Sequence, residues 1–146
     1  MNKQTNKKLF FSAWFILLGL CPSFAAKDKA RVTIGKMLVE YETAPLGIDV
    51  QKPRFSWQML APKGERGCVQ TAFRIQVKDD KGALVWDSGK RKSASSLNIA
   101  YGGSPLKPAT YYEWTLSVWN NKEGGAYEKR SSFETGLMSS DSLYAG

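Results

Sequence analysis

The sequence has 146 residues, no histidine and two cysteines, and its 21 basic residues against 13 acidic ones give a formal net charge of +8. Without histidine, a Ser-His or Cys-His nucleophile and an imidazole metal site are excluded. The length suits one domain with its own core rather than two.

The first 26 residues have the pattern of a secretory signal peptide. Lysines and no acid precede the apolar run Leu9–Leu20, and small residues follow it up to Ala26. That run is about twelve residues long, short of the ~20 that a membrane-spanning helix needs. We therefore expect residues 1–26 to be removed, no permanent membrane span, and export to the periplasm or the outside of the cell.

The two cysteines raise separate questions. Cys21 suggests an alternative, a lipid anchor, although Leu20 stands where that signal normally has Gly, Ala or Ser. Without the signal peptide, Cys68 is the only cysteine, so no internal disulfide can form and the hydrophobic core alone must stabilise the domain. We expect Cys68 to be an inert, half-buried thiol because no base accompanies it.

Short runs of alternating apolar and polar residues follow, separated by Gly, Pro, Asn and Asp turns. The first, Arg31–Tyr41, looks extended, but Gly35 and Lys36 break its alternation. Further strands are predicted at Arg54–Met59, Thr71–Lys78, Ala83–Asp87, Ser96–Tyr101, Tyr111–Trp119 and Glu128–Thr135. Six or seven short strands over about 100 residues are typical of an antiparallel β-sandwich, so we predict an all-β fold.

The basic cluster Lys90–Lys92 is flanked by Gly89 and Ser93, which is the composition of a turn. We interpret it as a solvated loop and predict no nucleic-acid partner.

The aromatic residues divide by strand register. Phe55, Trp57 and Phe73 lie in the inward register of their strands, as do Tyr112 and Trp114, and we assign all five to the core. Tyr111 and Trp119 fall in the opposite register. They are the aromatic residues of this strand that remain free to contact a sugar, a neighbouring strand or another protein surface.

The passage from Leu106 to Val118 places Leu, Pro, Thr, Tyr, Trp, Leu and Val on every second residue. This pattern resembles the fifth-to-sixth strand passage of fibronectin type III domains, which share the immunoglobulin-like antiparallel sandwich. The resemblance implies that Tyr112 is the corner tyrosine, whose hydroxyl bonds to upstream backbone. It implies little about function, because this fold serves many unrelated tasks.

Carboxylates are the remaining candidates for chemistry, since a glycosidase needs two of them about 5–9.5 Å apart. None of the acidic residues sits in a recognisable motif, and most lie in turns or on polar strand faces. Asp79–Asp80 has the composition of a turn, and we favour this interpretation over a calcium site. We therefore predict no catalytic residue, no metal site and no cofactor in this chain.

Several segments together resemble the N-terminal domain of large bacterial α-L-rhamnosidases. They are Val39–Tyr41, Pro45–Asp49, Pro53–Trp57, Arg66–Gly67, Gln70–Val77, Trp86–Lys90, Leu106–Trp119 and Phe133–Leu137. The family usually has Asn at Ala44 and Asp at Asn120. The resemblance implies a β-sandwich that precedes further sandwich domains and a helical barrel. That barrel hydrolyses terminal α-L-rhamnose of plant glycosides and pectic side chains. No position of this sequence corresponds to its catalytic residues.

The leading hypothesis is a non-catalytic module of an exported α-L-rhamnosidase, present as a fragment. It would comprise a signal peptide (1–26), a sandwich (27–137) and the start of a linker (138–146) to a missing downstream domain. Its partners would be the downstream domains and rhamnose-containing glycans. The alternative is a free-standing secreted sandwich that binds carbohydrate through Tyr111 and Trp119. A third hypothesis is an adhesion domain with a protein partner.

Overall fold

The computed structural model describes residues 31–138, and all regular elements in that range are β-strands. The predicted signal peptide and nearly all of the predicted linker lie outside the described residues. The strands are β1 (Thr33–Val39), β2 (Arg54–Leu60), β3 (Gln70–Asp79), β4 (Leu84–Asp87), β5 (Arg91–Lys92), β6 (Ile99–Ala100), β7 (Tyr111–Asn120) and β8 (Ala126–Glu134). Across this range, no helix is long and apolar enough to cross a membrane.

The strands form two antiparallel sheets, which confirms the predicted all-β sandwich. The small sheet has the order β1-β2-β6, and the large sheet has the order β4-β3-β7-β8, with β5 also pairing with β3. The long strands β3 and β7 pair from Gln70–Asn120 to Asp79–Tyr112 and form the centre of the large sheet. The core lies between the two sheets.

Strand β1 contains an irregularity at the point where its sequence alternation breaks. The register with β2 shifts between Ile34 and Met37, so Gly35 and Lys36 form a bulge. The ammonium of Lys129, on the large sheet, donates to the carbonyl oxygens of Ile34 (3.2 Å) and Gly35 (2.7 Å). Because a bulge leaves backbone groups outside the ladder, this side chain satisfies them and links the two sheets.

The predicted β3–β4 hairpin is present, and its turn depends on two residues. Asp79 Oδ1 accepts the backbone N–H groups of Lys81 (3.0 Å) and Ala83 (2.8 Å). Gly82 has a φ of +78°, a left-handed conformation that glycine adopts without steric cost.

Two parts of the sequence interpretation need correction. The Lys90–Lys92 cluster is not only a loop, because Arg91 and Lys92 form β5 and pair with Phe73 and Ala72. A two-residue edge strand is too short to show alternation, and its side chains are indeed exposed. The predicted strand Ser96–Tyr101 is reduced to Ile99–Ala100, since only these residues form ladder pairs with β2, and Ser96 makes a single backbone hydrogen bond to it.

The core consists of aromatic rings that meet across the two sheets. Phe55 of the small sheet packs on Trp114 of the large sheet, with ring centroids 4.7 Å apart. Trp57 and Phe73 form a second contact between the sheets at 5.2 Å. The five residues assigned to the core from the sequence are all at least 98% buried: Phe55, Trp57, Phe73, Tyr112 and Trp114. Tyr101, which the sequence did not assign, is equally buried.

A buried amide connects these rings to the surrounding backbone. The indole N–H of Trp57 donates to Gln70 Oε1 at 2.8 Å, and Gln70 is 6% exposed. Gln70 Nε2 donates to the carbonyl oxygens of Ser93 (3.0 Å) and Ser95 (2.8 Å). A buried indole N–H without an acceptor is costly, so Gln70 stabilises Trp57 in the core.

Tyr112 closes the corner that precedes β7. Its hydroxyl accepts the backbone N–H of Lys107 at 2.8 Å, and its ring stacks on Phe133 at 5.2 Å. Thr135 Oγ1 donates to the Lys107 carbonyl oxygen at 2.6 Å and accepts the N–H of Thr110 at 3.0 Å. The loop before β7 is therefore fixed by hydroxyl groups from both β7 and the end of β8.

Removing the Tyr112 hydroxyl tests the corner. Tyr112→Phe keeps the buried ring but leaves the Lys107 N–H without its acceptor, and we expect it to lower the free energy of unfolding by about 1–2 kcal/mol. Tyr111→Phe is the matched control, since the Tyr111 side chain is 48% exposed and should change stability little. Urea unfolding followed by tryptophan fluorescence measures both. Equal stability of the two variants would contradict this role of the hydroxyl.

Candidate functional site

The outer face of the large sheet carries the two aromatic residues that the sequence proposed as sugar contacts. Tyr111 is 48% exposed at the first position of β7. Trp119 lies near the other end of that strand and is half-buried, and the Lys90 ammonium lies 4.2 Å from its ring centroid. A cation over the face of a tryptophan makes a favourable contact, so one side of this ring is already covered.

The structure does not bring Tyr111 and Trp119 together. Trp119 lies eight positions after Tyr111 on the extended strand, which at ~3.3 Å per residue is about 26 Å. Tyr111 is paired with Glu134, whereas Trp119 is paired with Ala126 at the opposite end of the sheet. One sugar ring cannot contact both residues, and this arrangement gives little support to a binding platform made from the two of them.

Charged and polar side chains occupy the middle of this outer face. Arg74 Nε donates to Asp87 Oδ1 at 2.9 Å, and Gln76 Nε2 donates to Asp87 Oδ2 at 3.1 Å. The backbone N–H of Gly89 is a further donor to Asp87, at 2.8 Å. The Arg74 hydrogen bond is the main cause that lowers the pKa of Asp87 from 3.8 to about 2. Asp87 is therefore an ionised structural carboxylate, not a proton donor at neutral pH.

Other carboxylates considered as candidates also have structural partners. The Arg54 guanidinium donates to Glu40 at 3.1 and 2.7 Å, and this hydrogen bonding lowers the pKa of Glu40. Asp79 holds the hairpin turn, and Asp49 Oδ1 accepts the N–H of Met138 at 2.9 Å. Between residues 31 and 138, no group of three or more acidic or cysteine side chains is placed to hold a metal ion.

Three exposed apolar residues lie on segments that meet at one end of the sandwich, and we call them the terminal apolar patch: Leu46, Tyr111 and Leu137. Leu46 is 79% exposed and Leu137 is 76% exposed. Their segments meet because residues 45–48 run alongside the end of β8. The N–H of Glu134 donates to the Pro45 carbonyl oxygen at 2.9 Å, and the N–H of Gly136 donates to that of Ile48 at 2.8 Å. Tyr111 joins them through its pairing with Glu134.

The sequence reasoning did not find this patch. Leu46 and Leu137 stand in segments that carried the resemblance, but each by itself is an ordinary exposed apolar residue. The pairing that brings them together joins segments far apart in the chain and includes a parallel bridge between Ile48 and Thr135. No local pattern signals that bridge.

Two antiparallel sheets around an aromatic core, with a corner tyrosine at the start of β7, define an immunoglobulin-like sandwich domain. The family model for the Rha78A-like, N-terminal immunoglobulin domain matches residues 34–139. The chain belongs to this family, the N-terminal domains of α-L-rhamnosidases. The match confirms the resemblance proposed from the sequence.

Known proteins similar to this chain are much longer. An α-L-rhamnosidase of Streptomyces avermitilis is 45% identical over 107 residues, which are 68% of this chain and 10% of that protein. One from Formosa agariphila is 33% identical over 141 residues, 90% of this chain and 14% of that protein. The chain therefore spans about a tenth of the length of these relatives.

Among solved structures too, this chain matches a small part of much longer chains. The S. avermitilis α-L-rhamnosidase complexed with L-rhamnose superposes with a TM-score of 0.67 at 37% identity, over 74% of this chain and 11% of that one. The α-L-rhamnosidase from Dictyoglumus thermophilum gives 0.65 at 32% identity, over 73% and 12%.

The Arg74–Asp87 ion pair predicts a pH dependence of stability. Because the pKa of Asp87 is lower in the folded chain, the unfolded chain binds more protons between pH 4 and 2, and stability falls as the pH falls through that window. Asp87→Asn should therefore be less stable than the wild type at pH 7, and this difference should shrink towards pH 2. Asp80→Asn, an exposed turn residue, is the control.

Urea unfolding at a series of pH values measures these differences. A stability difference between Asp87→Asn and the wild type that is the same at pH 7 and pH 2 would contradict the assignment of Asp87 as an ionised partner of Arg74.

Proposed function

We propose that the chain is the non-catalytic N-terminal module of an exported α-L-rhamnosidase that removes terminal α-L-rhamnose from plant glycosides or polysaccharides. The observation that carries this proposal is the family match over residues 34–139, which takes in almost all of the described domain. The small share of each relative that the chain covers is consistent with a role as one module among several.

The carboxylates support the non-catalytic part of the proposal. Glycoside hydrolysis needs an acid and a second carboxylate facing each other across the scissile bond. Here Asp87 is held by Arg74, and Glu40 is held by Arg54. Both acids are ionised and their hydrogen-bonding capacity is used by the fold, so neither is available to donate a proton to a leaving group.

The terminal apolar patch supports a structural role. Leu46 and Leu137 are more exposed than the other large apolar residues of the described range, and Leu137 follows shortly after β8. Exposed apolar side chains near the end of a sandwich domain are suited to contact with a neighbouring domain. We propose that the sandwich spans residues 27–137, that 138–146 begin a linker, and that the patch contacts the following domain.

Export is part of the same proposal. Residues 1–26 would direct the chain to the periplasm or the cell exterior, with lipid anchoring at Cys21 as the alternative. The domain has a core of stacked rings and no disulfide within residues 31–138, so it would not depend on the redox state of its compartment.

An activity assay tests the proposal directly. The purified chain should not hydrolyse an aryl α-L-rhamnoside, because the acid and base of the reaction would lie in another part of the enzyme. Release of the aryl group is followed by absorbance, with an active α-L-rhamnosidase as the positive control. Measurable hydrolysis that a single carboxylate substitution abolishes would contradict the proposal.

A further inference from the structure

Three chain segments meet where β8 ends, and we call them the β8 clamp: 45–49, 109–110 and 134–138. On one side, a parallel bridge joins Ile48 to Thr135. The N–H of Ile48 donates to the Glu134 carbonyl oxygen at 2.9 Å, and the Ile48 carbonyl oxygen accepts the N–H of Gly136 at 2.8 Å. The chain therefore stays paired after β8 itself has ended.

The other side of the same stretch is paired as well. The N–H of Thr135 donates to the Thr110 carbonyl oxygen at 3.0 Å, and the Gly136 carbonyl oxygen accepts the N–H of Ala109 at 2.8 Å. Residues that follow the last strand of a domain are usually poorly ordered unless they are tied down. Here Thr135 and Gly136 are bonded on both sides, so their backbone is constrained like that of a central strand.

Asp49 holds the far end of the clamp. Its Oδ1 accepts the backbone N–H of Met138 at 2.9 Å. A Cβ at Gly136 would overlap this oxygen and would lie 2.9 Å from the Gly47 carbonyl oxygen. A larger residue at position 136 would therefore displace the Asp49 carboxylate or the backbone beside it, and glycine leaves the space that the clamp needs.

Two leucines of the terminal apolar patch lie within the clamp. Leu46 is 79% exposed and Leu137 is 76% exposed. The residue before Leu46 and the residue two positions after it both bond to Glu134. The residues on either side of Leu137 donate to Ile48 and Asp49. The clamp thus fixes the backbone around each leucine while its side chain stays in solvent.

We propose that the β8 clamp holds Leu46 and Leu137 ready as a docking surface for the domain that follows this module in an α-L-rhamnosidase, with Asp49 as the residue that positions Leu137. This rests on the proposed function. The family match is to N-terminal domains, and the chain covers 10% of one relative and 14% of another, so most of each relative lies beyond such a domain. A surface whose backbone is already fixed loses less conformational freedom when it binds.

Amide hydrogen exchange of the ¹⁵N-labelled 146-residue chain tests the clamp by itself. In the wild type, the protection factors of Gly136 and Met138 should exceed that of Gly124, an exposed loop residue, by roughly tenfold or more. Asp49→Ala removes the acceptor and should abolish the protection of Met138, while the amide of Trp114 in β7 stays protected.

Asp49→Asn is the matched variant, because its Oδ1 still accepts a hydrogen bond, and it should retain the protection of Met138. A Met138 amide that is unprotected in the wild type, or that is equally protected in Asp49→Ala, would overturn the role of Asp49.

A chimera tests the docking surface. In it, this domain replaces the corresponding domain of the S. avermitilis α-L-rhamnosidase, and the rate of proteinase K cleavage between the domains is measured. Leu46→Ser combined with Leu137→Ser should raise that rate several-fold, because the apolar contact is lost, and Asp49→Ala should raise it too. Leu97→Ser is the control, since Leu97 is 66% exposed but lies outside the clamp, and it should leave the rate unchanged.

Two negative results of this experiment are distinguishable. If the chimera with the wild-type domain behaves like an enzyme that lacks the domain, the proposed function itself fails. If that chimera behaves like the intact enzyme but the leucine and Asp49 substitutions leave the cleavage rate unchanged, the docking surface is overturned and the proposed function stands.

Discussion

The hydrogen bond from the Trp57 indole to Gln70 is the interaction on which the arrangement of the sandwich depends. It connects the small sheet, which carries Trp57, to the first residue of the central strand β3. The same Gln70 amide donates to the backbone carbonyl oxygens of Ser93 and Ser95, and the backbone N–H of Trp57 donates to the Ser96 carbonyl oxygen at 2.9 Å. One side chain therefore satisfies the buried indole and fixes the segment that runs between the two sheets.

This link matters because no disulfide is available between residues 31 and 138. Stability comes from ring packing between the sheets, and a buried ring with a polar atom is stabilised by a partner that does not disturb that packing. Gln70 accepts from the Trp57 indole, and the Lys107 N–H donates to the Tyr112 hydroxyl. The buried indole N–H of Trp114 has no such partner among residues 31–138.

The sequence predicts local structure well and contacts between distant segments poorly. Alternation along β7 indicates which of its rings lie inside, and the break at Gly35 corresponds to a bulge in β1. The two-residue strand β5 has no such pattern. The separation of Tyr111 and Trp119 follows from strand geometry, whereas the cation over Trp119 does not, because Lys90 belongs to a different segment. The same limit applies to the terminal apolar patch, which depends on segments that meet only in the fold.

A domain exchange tests most directly whether the chain serves as the N-terminal module of an α-L-rhamnosidase. The corresponding domain of the S. avermitilis enzyme, to which this chain is 45% identical over 107 residues, would be replaced by residues 27–137. Solubility, melting temperature and aryl rhamnoside hydrolysis of the chimera would be compared with those of the intact enzyme and of a variant lacking the domain. A structural module predicts a chimera close to the intact enzyme. A chimera that behaves like the domain deletion, although the chain folds by itself, would contradict that role.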